Sequence, residues 1–145
     1  VAGLVAITPA SGFVNVLGAV VIGLGAGLIC FFAVELIHKT SLDDALDVFA
    51  VHGVGGIWGA IATGIFAIES IGGTAGLIEG NPGVMGPQII AVVVTIAYSL
   101  IVTLIILKVL DIIPGLGLRV TEQEENEGLD ISSHGVRSYI QDGAD

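Results

Sequence analysis

One histidine stands where an ionisable side chain is expensive. His52 lies inside a long apolar run, flanked by "FAV" before it and "GVGGIWG" after it. In hydrocarbon such a group costs a few kcal/mol unless it faces a partner or a water-filled path. Burial disfavours the imidazolium, so the chemistry expected of His52 is that of a neutral ring, one nitrogen donating and one accepting. That suits a proton relay or a site for a small hydrogen-bonding molecule. A core histidine bonded to a neighbouring carbonyl is the alternative, and position alone does not decide between them. His38 falls at a helix end and His134 in a polar tail, so no second histidine is placed to share a metal ion with His52.

Acids precede it. Ser41 and Asp44 have capping-box spacing, and Asp43 adds negative charge at the positive end of a helix. Asp47 is a turn deeper. At 100° per residue it and His52 are about 140° apart around a helix and should not touch. Asp47 is expected instead to bond backbone or side chains of a neighbouring helix in a supporting role. Trp58 and Phe49 read as packing residues, with an apolar lining as the alternative.

The elements that must position these residues are three apolar runs, Phe13 to Ile37, Ala45 to Ile68 and Ile89 to Leu110. A bilayer core of roughly 30 Å needs about 20 helical residues, so each run is long enough to span. Helices are expected over about 13–37, 45–68 and 87–113, within a membrane portion 1–118 followed by a tail 119–145. The short apolar opening, "VAGLVAITPA", is broken by Pro9 and reads as the last turns of an earlier helix. With no initiating methionine and no basic segment before the first run, the chain is expected to be the C-terminal part of something larger.

Composition agrees with a membrane protein. Of 145 residues 54% are hydrophobic and 12% charged, against roughly 25% charged in soluble domains. Seven of the fourteen acids fall beyond Gly117, so the net charge of −10 describes a tail more than a surface. One cysteine, Cys30, excludes a disulfide scaffold, and four basic residues exclude a basic nucleic-acid binder. Those four, Lys39, Lys108, Arg119 and Arg137, all fall on one side of the three runs, while the connection from Glu69 to Gln88 has none. The positive-inside rule then puts the tail in the cytoplasm.

The 22 glycines, well above the usual ~7% share, suit close helix packing. Small residues repeat every four positions at Ala19, Gly23 and Gly27, at Gly55 and Gly59, and at Ala91, Thr95, Ser99 and Thr103, which marks these as expected contact faces. In the tail, Thr121 and Glu124 repeat capping-box spacing and Gly128 is placed to close a short helix. The sequence beyond, "LDISSHGVRSYI", is too mixed for a simple acidic tail and suits docking on the cytoplasmic face or on a partner.

The segment from Asp47 to Ala67, "DVFAVHGVGGIWGAIATGIFA", closely resembles the signature of the ammonium transporter (Amt/MEP) family, which is related to the Rhesus proteins. "GLVAITPA" before it and "GLRVTEQEENEGLDISSHG" after it resemble that family's segments in the same order. The resemblance covers essentially the whole chain. It implies an all-α polytopic membrane bundle, this chain being the C-terminal part of an eleven-helix fold: the end of helix eight, helices nine to eleven and the cytoplasmic tail. Members transport ammonium or ammonia across the cell membrane as homotrimers, each subunit with its own narrow apolar pore, without catalysis or cofactor.

The resemblance further implies that His52 is the second of two paired pore histidines, the first lying in helices that precede this segment. Val48 would line the same channel, Thr8 matches a threonine near the pore, and Asp47 matches a structural acid. The tail, with Glu122, Gly128, Asp130 and His134, resembles a regulatory C-terminus whose face can receive P-II signalling proteins. An ammonium sensor signalling through its tail and a Rhesus-type gas channel are the competing readings.

Overall fold

Pro9, which has no backbone N–H to continue a helix, ends α1 (Ala2–Ile7) in a 3₁₀ turn, Thr8–Ala10. The chain reverses through Gly12 (φ +82°) and enters α2 (Val16–Ile37) under the Asn15 side chain, whose Oδ1 accepts from the Gly18 amide at 2.9 Å. That cap needs extended backbone at Asn15, so the first span starts at Val16 although the apolar run starts at Phe13. The computed structural model describes residues 1–136, and every regular element among them is helical. Arg137, Asp142 and Asp145 lie outside the described residues.

The second span is a π-helical segment, Phe49–Val54, continued by α3 (Gly55–Phe66). It starts four residues later than the apolar run, because the chain first turns between Asp44 and Asp47. After α3 come a single-turn α4 (Glu69–Gly72) and a 3₁₀ turn, Pro82–Val84, that leads into α5 (Met85–Ile112). Val16–Ile37, Phe49–Phe66 and Pro82–Ile112 are each long and apolar enough to cross a membrane.

The described residues divide into two units, Val1–Ala97 and a second that begins at Tyr98. In the first, α1, α2 and α3 meet around Ala6, Ala10, Ile22, Ala26 and Ala62, all fully buried. Gly59 faces the backbone of Ala6 so closely that a Cβ there would lie 2.8 Å from Ala6 Cα. Gly25 receives the Trp58 ring, whose Nε1 donates to the Ile22 carbonyl at 3.0 Å. Trp58 is thus a packing residue.

The contact faces differ in part from those the spacing suggests. Gly55 and Gly59 are buried as expected, but α2 turns Gly18, Ile22, Ala26 and Cys30 inward. This stripe is displaced by one residue, or about 100°, from Ala19, Gly23 and Gly27, and a Cβ on Gly23 or Gly27 would meet nothing within 4 Å. Shape decided this: the bulky Ile22 fills the space between α1 and α3, and Trp58 claims Gly25. On α5, Ala91, Thr95, Ser99 and Thr103 are exposed, since no described element covers them.

The connection after α3 folds back on that helix. The amides of Gly76, Leu77 and Ile78 donate to the carbonyls of Ala67, Gly64 and Ile65 at 2.9–3.1 Å, pairing groups that a helix end leaves without partners. At the start of α5, Gln88 Nε2 donates to the Ala60 carbonyl at 2.7 Å.

In the second unit, Thr121 and Glu124 form the expected capping box at the start of α6 (Glu122–Glu127), and Gly128 (φ +90°) ends it. A further turn, α7 (Leu129–Ser132), follows at once, tied back by Ser132 Oγ to the Gly128 carbonyl at 3.0 Å.

Candidate functional site

His52 lies in the π-helical segment. Six residues, Phe49–Val54, adopt the wider i→i+5 turn, a rare conformation that recurs at functional sites. Nothing in the apolar pattern announces it. The inner side of the segment is fixed by packing: Ala50 is fully buried, and Cys30 Sγ of α2 lies 3.8 Å from the Val51 carbonyl. Val48, Phe49 and His52 are exposed. The expectation that His52 is buried is not met within this chain: its ring has no hydrogen-bond partner among the described residues. The reason is topological, since α1, α2 and α3 cover only the opposite side of the segment.

The start of the segment is built by acids, though not as a Ser41–Asp44 capping box. Asp44 is itself the cap, its carboxylate accepting from the Val48 amide at 2.8 Å and the Phe49 amide at 2.9 Å. Two helix-end donors are thereby satisfied by one charged side chain near the positive end of the helix. Asp47 sits between cap and segment at φ +53°, the one non-glycine residue at positive φ among the described residues. Aspartate tolerates this region better than most side chains. Its carboxylate does not reach His52. It lies 2.8 Å from His38 Nε2, at the residue that ends α2, so Asp47 does bond a neighbouring helix. His38 is a participant that sequence reasoning missed; only the folding of the connection brings residues 38 and 47 together.

The remaining candidates lie apart from this cluster. Thr8 is exposed in its 3₁₀ turn, with Oγ1 donating to the Leu4 carbonyl at 2.8 Å. In the second unit, Glu122 opens α6, Gly128 joins α6 to α7, and the amide of Val136 donates to the Asp130 carbonyl at 2.9 Å. The His134 amide donates to the Leu129 carbonyl at 3.2 Å, closing α7. The Thr121 backbone N–H and hydroxyl both donate to Glu124, which holds its carboxyl below the usual carboxylate range.

Among the described residues, three membrane-length helices, with a histidine exposed on a span that has no Asp, Glu, Lys or Arg, define a polytopic membrane protein with a polar point in an apolar wall. The sequence profile of the Ammonium Transporter Family matches residues 1–139, and the chain belongs to that family. It is 50% identical over 139 residues to the ammonium transporter Amt1 of Archaeoglobus fulgidus and 54% identical over 140 residues to an ammonium transporter of Aquifex aeolicus. Each match covers 96% of this chain, and 35% and 32% of those proteins respectively. The chain therefore spans about a third of the length of the curated relatives it matches. The crystal structure of Saccharomyces cerevisiae Mep2 superposes with a TM-score of 0.77 at 39% identity, covering 84% of this chain and 29% of that one.

Proposed function

We propose that this chain forms part of an ammonium/ammonia transport pathway and that His52 lies on it. The observation that carries the reading is the histidine itself: exposed on a π-helical turn of a span, Phe49–Phe66, that has no Asp, Glu, Lys or Arg. An apolar wall penalises ammonium heavily because its charge must be desolvated, whereas ammonia escapes that cost. A neutral imidazole in such a wall can accept a proton on one nitrogen and release one from the other. The chemistry suits deprotonation of ammonium, passage of the neutral molecule and relay of the proton. It does not suit a potassium filter, which needs rings of carbonyls or acids.

In this reading His52 pairs with a second pore histidine outside this chain, Val48 lines the path beside it, and Thr8 lies nearer its margin. Asp47 supports the segment from behind. The protein works as a homotrimer in the cell membrane, with residues 1–118 as the membrane portion and 119–145 as a cytoplasmic tail. Glu122, Gly128, Asp130 and His134 belong to that tail, which offers a surface for a P-II type signalling protein.

The test is methylammonium uptake, and the current that accompanies it, in the complete protein carrying His52→Ala or His52→Glu. Altered flux or altered ion selectivity is expected. Unchanged uptake and unchanged currents in both variants would remove His52 from the path. Tight ammonium binding with no measurable flux in the unsubstituted protein would favour the sensor reading instead.

A further inference from the structure

The contact between His38 and Asp47 has no part in the transport chemistry above, yet it sits directly behind it. His38 ends α2, and Asp47 is the residue from which the π-helical segment departs, so their 2.8 Å bond ties the end of one span to the start of the next. Along the chain, the Asp47 amide donates to the Asp44 carbonyl at 2.9 Å and its carbonyl accepts from Val51 at 2.8 Å. Asp47 holds these bonds at φ +53°, in a region that L-residues with a side chain disfavour. Residues kept in such conformations persist only when their surroundings over-determine them. Among the described residues, the His38 bond is the one that anchors the Asp47 side chain to another element.

A return of Asp47 to ordinary right-handed backbone would extend the helix backwards and shift the register of the segment that follows it. Each residue of slip rotates the following side chains by about 100°, enough to carry His52 and Val48 off a narrow path. We propose that His38 is a positioning residue of the pathway: through Asp47 it sets the register at which Val48 and His52 are presented. This rests on the reading of His52 as a pathway residue.

The pair is open to solvent, with the His38 side chain 59% and the Asp47 side chain 32% exposed. Glu35 and Lys39 lie near His38 along the chain, and Asp43 and Asp44 belong to the connection, where the Asp44 carboxylate is already held by two amides. An exposed ion pair contributes little as charge attraction. Its consequence here lies in the geometry it fixes.

The experiment is methylammonium uptake by the complete protein in proteoliposomes, reading maximal rate and half-saturating concentration separately. His38→Ala is expected to lower the maximal rate roughly fivefold, with the half-saturating concentration unchanged. His38→Gln keeps an N–H donor and should restore at least half of the rate. In an Asp47→Gly background, where positive φ needs no anchor, His38→Ala should cost nothing further; this non-additivity marks action through Asp47. An unaltered rate in His38→Ala, a His38→Gln variant as impaired as alanine, or a full further loss in the Asp47→Gly background would each overturn the proposal. If His38→Ala does not accumulate folded, His38→Leu decides. It keeps most of the side-chain volume but has no N–H to give Asp47, so a severalfold loss of maximal rate supports the proposal and a rate within about twofold of wild type overturns it. His52→Ala is measured alongside. Silence of both alanine variants defeats the pathway reading, whereas an effect of His52→Ala alone defeats only the positioning role.

Discussion

Adding one methyl group at Gly59 should loosen the bundle more than the same addition elsewhere on the α2–α3 pair. The new Cβ would lie 2.8 Å from both the Cα and the carbonyl carbon of Ala6, and closer still to the Ala6 oxygen. Carbon–carbon contacts are normally about 3.5–4.0 Å, so α1 would have to retreat by about 1 Å. The obstacle is backbone, and no rotamer change absorbs it. Retreat would draw Ala6 and Ala10 away from Ile22, Ala26 and Ala62, opening the cluster of fully buried residues that joins the three helices. Overpacking of this kind costs up to about 3 kcal/mol. Removing a helix-interior glycine returns about 0.5–1 kcal/mol, which leaves a net loss near 2 kcal/mol. Two other glycines calibrate the estimate. At Gly25 the neighbour is the Trp58 ring, 2.7 Å from the new Cβ. The ring can swing aside at the loss of its bond to Ile22, about 1 kcal/mol, so the net change should be close to zero. At Gly56 a Cβ meets nothing within 4 Å, and alanine should be neutral or stabilising. The assay is the unfolding midpoint of the complete, detergent-solubilised protein for all three alanine variants. Gly59→Ala as stable as Gly56→Ala would refute the close approach of α1 to α3.

Two smaller perturbations probe the helix ends. Asn15→Ala removes the acceptor for the Gly18 amide and should cost about 1 kcal/mol, read as faster hydrogen exchange in the first turn of α2; unchanged exchange there would show that the cap contributes nothing. Glu124 supplies a pH dependence whose sign follows from its lowered carboxyl pKa. The folded group is more acidic than its unfolded counterpart, so the stabilisation is present above the unfolded value of about 4.3. It is lost as pH falls through the lower folded value. Amide exchange across α6 should therefore accelerate on acidification through that window; Thr121→Ala, which keeps the backbone donor, should weaken the dependence, and Glu124→Gln should abolish it. An α6 indifferent to pH in the parent protein would rule out the capping box as its anchor.

The parts of this fold that were legible beforehand are those set by neighbours in the chain. The spans follow from apolar runs, and the α6 box follows from Thr121 and Glu124 three residues apart, with Gly128 as the stop. Gly55 and Gly59 were correctly marked as a contact face because their spacing leaves a groove. On α2 the face buried within this chain lies one residue away from the stripe that the same rule marked. Small residues occur on both candidate stripes, and the choice of Gly18, Ile22, Ala26 and Cys30 depends on what stands opposite. Ser41 and Asp44 looked like a box, yet Asp44 reaches forward to Val48 and Phe49, since the left-handed backbone of Asp47 shifts the helix start.

Sequence by itself therefore determined the solvent of this chain, the three membrane-length helices among the described residues, the family and the candidacy of His52. All of these depend on composition, local periodicity and a contiguous motif. Tertiary structure alone decided the π-helical turn around His52, the positive φ at Asp47 and the union of Asp47 with His38. Each costs more than the local alternative, so each exists only where contacts from another part of the chain offset it. Such contacts leave no trace in spacing, because α2 and the segment after it meet only once the connection between them has folded.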